Sequence, residues 1–131
     1  MTKKSGIVSE RQLIHLLWDH NFAALRVPAS GAGSKFFPKP DIIAGNGQKF
    51  YAFEVKTTNS EKIYLRDDEI QELIDFSEKF GCEPLIAVKF KKKSREWRFF
   101  KIVNLKRTNS GNYKIEFNED FPKGIDIFSL I

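Results

Sequence analysis

A chain of 131 residues, 41% hydrophobic and 30% charged, has the size and apolar content of one compact domain. Its net charge of +5 and pI near 9.3 favour an acidic partner, nucleic acid ahead of membrane. A lone cysteine, Cys82, excludes an intramolecular disulfide and a multi-cysteine zinc site, and no apolar run approaches the roughly 18 residues of a membrane span.

The basic start, Met1-Thr2-Lys3-Lys4-Ser5, lacks the apolar run of a signal peptide, so an intracellular protein is expected. The first helix is predicted over residues 7–20, with Ser5 or the Ser9/Gln12 capping-box spacing at its start. Ile7, Ile14, Leu17 and Trp18 form its apolar stripe. Glu10 falls on that stripe, where an acid needs either a partner or the helix dipole. Asn21 ends the helix, and residues 22–27 read as a strand stopped by Pro28. Arg26 interrupts that apolar strand, as a nucleic-acid contact or as an edge-strand charge. The loop over residues 28–39 holds Ser30, two glycines, Lys35 and Lys39, a composition able to hold phosphate. Three environments suit Phe36 and Phe37: the core, a second subunit, or a wedge into nucleic acid. The core is the expectation.

The most informative stretch follows. Residues 41–44 and 49–56 read as the two strands of a hairpin, with Gly45-Asn46-Gly47 supplying the turn. Alternation puts Ala52, Glu54 and Lys56 on one face and Phe53 and Val55 on the other. Asp41 opens the partner strand, so a tight hairpin brings it beside Glu54. Two carboxylates and a lysine then converge at one sheet edge. Oxygen-only ligands of this kind suit a hard cation, Mg²⁺ or Mn²⁺. The plainer alternative is a surface hairpin with an exposed salt bridge.

Residues 57–62 are polar and are expected to be mobile. A second helix is predicted over residues 67–80, with Asp67, Asp68 and Glu69 in its first turn and Gly81 after its end. Ile70, Leu73, Ile74 and Ser77 form its core stripe, leaving Phe76 and Phe80 on a flanking surface that suits a subunit interface. Strands are predicted over residues 85–90 and 97–102, joined by the basic turn Lys91-Lys92-Lys93-Ser94-Arg95. Asn109-Ser110-Gly111-Asn112 marks another turn, residues 113–117 a short strand, and the tail from Asn118 carries no assignment. His15 and His20 read as surface histidines.

Pro40-Asp41 followed by Glu54-Val55-Lys56 resembles the PD-(D/E)xK nuclease signature. Residues 6–11, the Phe22-Ala23-Ala24-Leu25-Arg26-Val27 strand with its Ser30-Gly31 loop, and residues 75–81, 85–90 and 97–99 agree, in order, with the archaeal Holliday junction resolvases. The similarity runs from about residue 6 to 102. It implies an α/β, restriction-endonuclease-like domain over residues 1–131, with a mixed, twisted sheet of about five strands flanked by helices. It implies Mg²⁺-dependent, paired hydrolysis of four-way DNA junctions by a homodimer, inside the cell at the nucleoid. On this resemblance Asp41, Glu54 and the Val55 carbonyl bind the metal, which Mn²⁺ can replace. Glu10 completes the acidic site, Lys56 orients the attacking water or neutralises charge on the phosphorane, Ser30 holds phosphate, and Arg11 contacts phosphate. Arg26, Lys35, Lys91, Lys92 and Lys93 are the further candidates for DNA contact. Gln71 resembles the helix glutamine of related nucleases. The rival readings are a restriction-like or repair endonuclease with the same site, and a catalytically inactive DNA-binding module.

Overall fold

The computed structural model describes residues 3–28 and 37–131, with side chains from residue 6 onward; Ser30, Lys35 and Phe36 lie outside the described residues. Helix α1 (Lys3–Asp19) begins a turn before the predicted start. Ser5 and Ser9 therefore both lie inside it, and Ser9 is buried rather than capping. Leu13 and Leu17, four residues apart, are the fully buried centre of its inner face. Trp18, expected on that face, is 58% exposed and instead sends its indole N–H to the Ala24 carbonyl at 3.0 Å. The helix closes through Asn21 at φ 69°, with Phe22 N–H on the Leu17 carbonyl (3.0 Å) and Asn21 N–H on that of Trp18 (3.2 Å). This is a Schellman closure, and Phe22 and Leu17 share one core cluster.

Strands β1 (Ala23–Arg26), β2 (Ile42–Gly45), β3 (Phe50–Thr58), β5 (Glu83–Phe90) and β6 (Arg98–Lys101) form one sheet in the order β1-β2-β3-β5-β6. Only β3 and β5 run parallel, joined by the crossover helix α2 (Asp67–Phe80); the other neighbours are antiparallel, so the sheet is mixed and five-stranded as expected. Gly47, at φ 91°, turns the β2–β3 hairpin, while the Asn46 side-chain carbonyl accepts from the amides of Gln48 and Lys49. Gly45 has a different reason: a Cβ there would meet the Phe50 ring at 2.8 Å. After α2, Gly81 adopts φ 88°, and the Gly81 and Cys82 amides both close on the Ser77 carbonyl.

The sheet is covered on both sides. Phe53, Val55, Phe22 and Phe99 pack with Leu13 and Leu17 of α1, whereas Ala52, Ile86, Val88 and Phe90 pack with Ile70 and Leu73 of α2. Burial on both sides explains the unbroken apolar run Leu85-Ile86-Ala87-Val88 in β5.

Three stretches depart from expectation. Residues 57–62 are ordered: β3 continues through buried Thr57 to Thr58, Ser60 closes the turn, and β4 (Lys62–Leu65) leads out. With β7 (Lys106–Arg107) and β8 (Tyr113–Glu116), β4 makes a second, three-stranded sheet in the order β4-β8-β7. The tail is also structured. Ile125 bridges to Phe99, and α3 (Ile127–Leu130), capped by Asp126, buries Ile127 and Leu130 in the α1-side core. Among the described residues no helix is long and apolar enough to cross a membrane.

Candidate active site

The candidate site lies part-way along β3, just past the point where its ladder with β2 ends at the Ile42–Phe53 pair, while β3 continues beside β5. Asp41 stands immediately before β2. The pairing of Ile42 with Phe53 carries it to the position opposite Glu54. Its amide donates to the Phe53 carbonyl at 2.9 Å, and its Oδ2 accepts from the Val55 amide at 2.8 Å. Two β3 backbone groups thus fix the aspartate before any ligand arrives.

Glu54 sits on the α2 face of β3, with Ala52 before it and Lys56 after it. Its carboxyl is pushed up to about 9, first by burial, then by the Asp41 charge and a hydrogen bond to Asp41; Lys56 opposes the shift. Two carboxyl groups in contact cannot both ionise cheaply without a cation between them. Lys56 points its Nζ to Glu69 Oε1, 3.1 Å away on the first turn of α2.

Glu10 reaches the same part of the sheet from α1 but is turned to a different partner. Its Oε1 lies 2.7 Å from Arg26 Nε. Burial raises its pKa, the Arg26 hydrogen bond opposes that, and the Asp41 charge adds to the rise. Arg26 is thus the partner that the stripe position of Glu10 demanded. Among the described residues no three His, Cys, Asp or Glu side chains lie close enough to hold a metal. The structure therefore brings Asp41 and Glu54 together, with Lys56 beside them, and leaves Glu10 apart on Arg26.

The remaining candidates lie around this centre. Arg11 is exposed beside Glu10 on α1. Lys91 N–H donates to the Thr58 carbonyl at 2.9 Å, which sets the basic turn at the carboxyl end of β3, beyond Lys56, and Lys93 Nζ lies 3.0 Å from Glu61 Oε1. Phe76 and Phe80 stack at 5.1 Å between centroids, 18° from coplanar. Phe76 packs partly on the α2-side core, a contact its flanking position did not suggest, whereas Phe80 is 58% exposed. Phe37, expected inside, is 70% exposed and lines a groove of about 400 Å³ with Pro38, Phe76 and Phe80. Gln71 is exposed, and the α2 residue that reaches the site is Glu69, two positions earlier. In the sequence Glu69 reads only as a favourable charge in the first helical turn, and nothing local links it to Lys56.

The family model for the archaeal Holliday junction resolvases, Hjc, matches residues 1–131, including the tail beyond residue 103. The crossover junction endodeoxyribonuclease Hjc of Archaeoglobus fulgidus is 42% identical over 125 residues, covering 95% of this chain and 88% of the relative. That of Sulfurisphaera tokodaii is 35% identical over 130 residues, covering 98% and 87%. The solved structure of Archaeoglobus fulgidus Hjc, a Holliday junction resolvase, superposes with a TM-score of 0.84 at 39% identity, covering 94% of this chain and 97% of the other. With a full-length match and relatives this similar across nearly all of both chains, the protein belongs to the archaeal Holliday junction resolvase family.

Proposed function

We infer that this chain acts as a crossover junction endodeoxyribonuclease, hydrolysing phosphodiesters in four-way DNA junctions at the Asp41–Glu54–Lys56 site. The observation that carries the reading is the Asp41–Glu54 contact, which holds a buried carboxyl as its acid at neutral pH. A divalent cation fits there in place of the proton, and an all-oxygen donor set suits Mg²⁺, with Mn²⁺ able to substitute. Asp41, Glu54 and the Val55 carbonyl are the residues that would hold it, with Glu10 available once released from Arg26. Bound there, such an ion would lower the pKa of a bound water and offset charge on the leaving oxygen. Lys56 orients the attacking water and offsets charge developing on the phosphate.

Cleavage of a synthetic four-way junction beside linear duplex of the same sequence, with and without Mg²⁺, tests the reading. Selective, Mg²⁺-dependent incision of the junction supports it. Equal cutting of both substrates would favour a general or restriction-like nuclease, and binding without cutting a DNA-binding module.

The pKa of Glu54 makes a further expectation. Folding raises it above its ordinary value of 4.5, so the stability this group confers is fully present below that value and is lost as pH rises towards about 9. A cation that displaces the proton should therefore stabilise the protein more at pH 8.5 than at pH 6. Thermal melts with and without Mg²⁺ read the difference, and Glu54→Gln should flatten it. A Mg²⁺ shift independent of pH in the parent protein would place the ion elsewhere.

Phosphates of the junction arms meet the basic turn. Lys93 must leave Glu61 to do so, at small cost because that ion pair is exposed. Changing Lys91, Lys92 and Lys93 to alanine should weaken binding to all DNA and reduce the log–log salt slope by about 0.9 per lost duplex contact. An unchanged slope would leave this turn as a solvated tip. A two-fold dimer suits a substrate with two strands to cut, and Phe76 and Phe80 are its proposed contact.

A further inference from the structure

We propose that Glu69 is a positioning residue for Lys56, holding the ammonium at the site while itself anchored by the N-terminal cap of α2. The inference rests on the reading of Lys56 as the catalytic cation.

Lysine is a poor candidate for a fixed group. Its charge rides on a flexible four-carbon stem, and β3 anchors only the Cα end. On the same face of β3, two residues back, stands Glu54, with Asp41 against it. Left to choose, the ammonium can fold back onto that pair and fill the space between the two carboxyls. Glu69 Oε1, 3.1 Å from Lys56 Nζ, holds it towards α2 instead. Both side chains are largely shielded from solvent, at 28% and 17% exposure, so the contact is less screened than an ordinary surface pair.

Glu69 is itself fixed in a way few surface acids are. It occupies the third position of α2, and its Oε2 accepts from the Arg66 amide at 3.3 Å, the half of a capping box that the third helical residue supplies. One carboxylate oxygen is therefore set by the helix start and the other holds the lysine. The Arg66 guanidinium, 3.4 Å from Oε1, is a second cation on the same oxygen, but it is 68% exposed and also reaches Asp68 at 3.0 Å. A helix cap requires an acceptor at this position; it does not require a negative charge facing Lys56. Glutamine supplies the first without the second.

The test uses single-turnover cleavage of a synthetic four-way junction in Mg²⁺, with junction affinity by gel shift and melting temperature on the same preparations. Glu69→Gln keeps a capping-box residue. It should melt within about 2 °C of the parent and bind the junction within about twofold, yet cleave roughly ten- to a hundredfold more slowly, as expected when a catalytic group loses its position. If Glu69→Gln cleaves within twofold of the parent, the proposal is overturned. If it melts early, adding Arg66→Ser rebuilds the cap with a better N-cap residue. A rate that returns with stability then overturns the proposal, and a rate that stays low supports it. Lys56→Gln runs alongside. Adding Glu69→Gln to it should cost nothing more, because there is no ammonium left to position, whereas an equal further loss would make Glu69 independent of Lys56. A Lys56→Gln protein that cleaves normally would overturn the reading of Lys56 itself, a different failure from a slow Lys56→Gln protein paired with a normal Glu69→Gln protein.

Discussion

Asp41→Asn and Glu54→Gln are each expected to lower the rate of junction cleavage by on the order of a thousandfold while leaving junction binding intact or stronger. On the proposed reading each change removes a charge that would hold the cation, and neither residue is a proposed phosphate contact. The loss follows from the several kcal/mol that a bound cation contributes to charge stabilisation in the transition state, at about 1.4 kcal/mol per factor of ten. The fold should survive both changes. Asparagine keeps an oxygen able to accept the Val55 amide, which Asp41 Oδ2 now takes at 2.8 Å. Glutamine has the size and neutrality of the acid form that burial and Asp41 already impose on Glu54. Gel shift, cleavage and far-ultraviolet circular dichroism on one preparation read the three quantities together. A variant that loses binding and secondary structure along with cleavage would make the residue structural.

The pair at this centre was legible because three independent rules agree on it. Period-two alternation puts Glu54 and Lys56 on one face of β3, a glycine-bearing turn sets the register, and Asp41 lies at the one position opposite Glu54. Helix α2 was equally plain, since a helical stripe, acidic first turn and following glycine all mark the same boundaries. Glu10 was half legible. Its place on an apolar stripe demanded a partner, but Arg26 lies sixteen residues away on an edge strand, and nothing local links the two. Glu69 was hidden by having a sufficient local explanation as a helix-start acid. The second sheet was half legible: residues 113–117 read as a strand and form β8, but β7 is two residues long and β4 follows a polar stretch with only four residues of its own, too little for alternation to separate either from a loop. The tail has no period at all. Its order comes from the Phe99–Ile125 bridge and from Ile127 and Leu130 filling the α1-side core, which are contacts between segments distant in the chain.

Replacing Phe76 and Phe80 together with aspartate is expected to yield a folded monomer that no longer makes paired incisions. Phe80 is 58% exposed and stacks on Phe76, and both face a groove of about 400 Å³ that Phe37 and Pro38 also line. Phe80 continues the apolar surface into a second hollow of about 200 Å³ lined by Trp18, Leu25 and Phe50, each also exposed. An exposed apolar belt on a charged protein suits a partner surface. A second copy suits it, because a two-fold axis buries four stacked rings at once. At ~1.5–3 kcal/mol per phenylalanine, those rings supply a gross gain on the order of 6–12 kcal/mol against the cost of association. Two buried carboxylates on each side would reverse that sign. Phe76 also packs partly on its own core, so the double change carries some cost in stability. Phe80→Asp alone avoids that cost and should already weaken the dimer. Light scattering gives the mass, and a junction carried on a plasmid separates single nicks from paired cuts. A folded variant that remains dimeric would move the interface elsewhere. If Phe80→Asp stays dimeric and only the double variant unfolds, the rings belong to the monomer core.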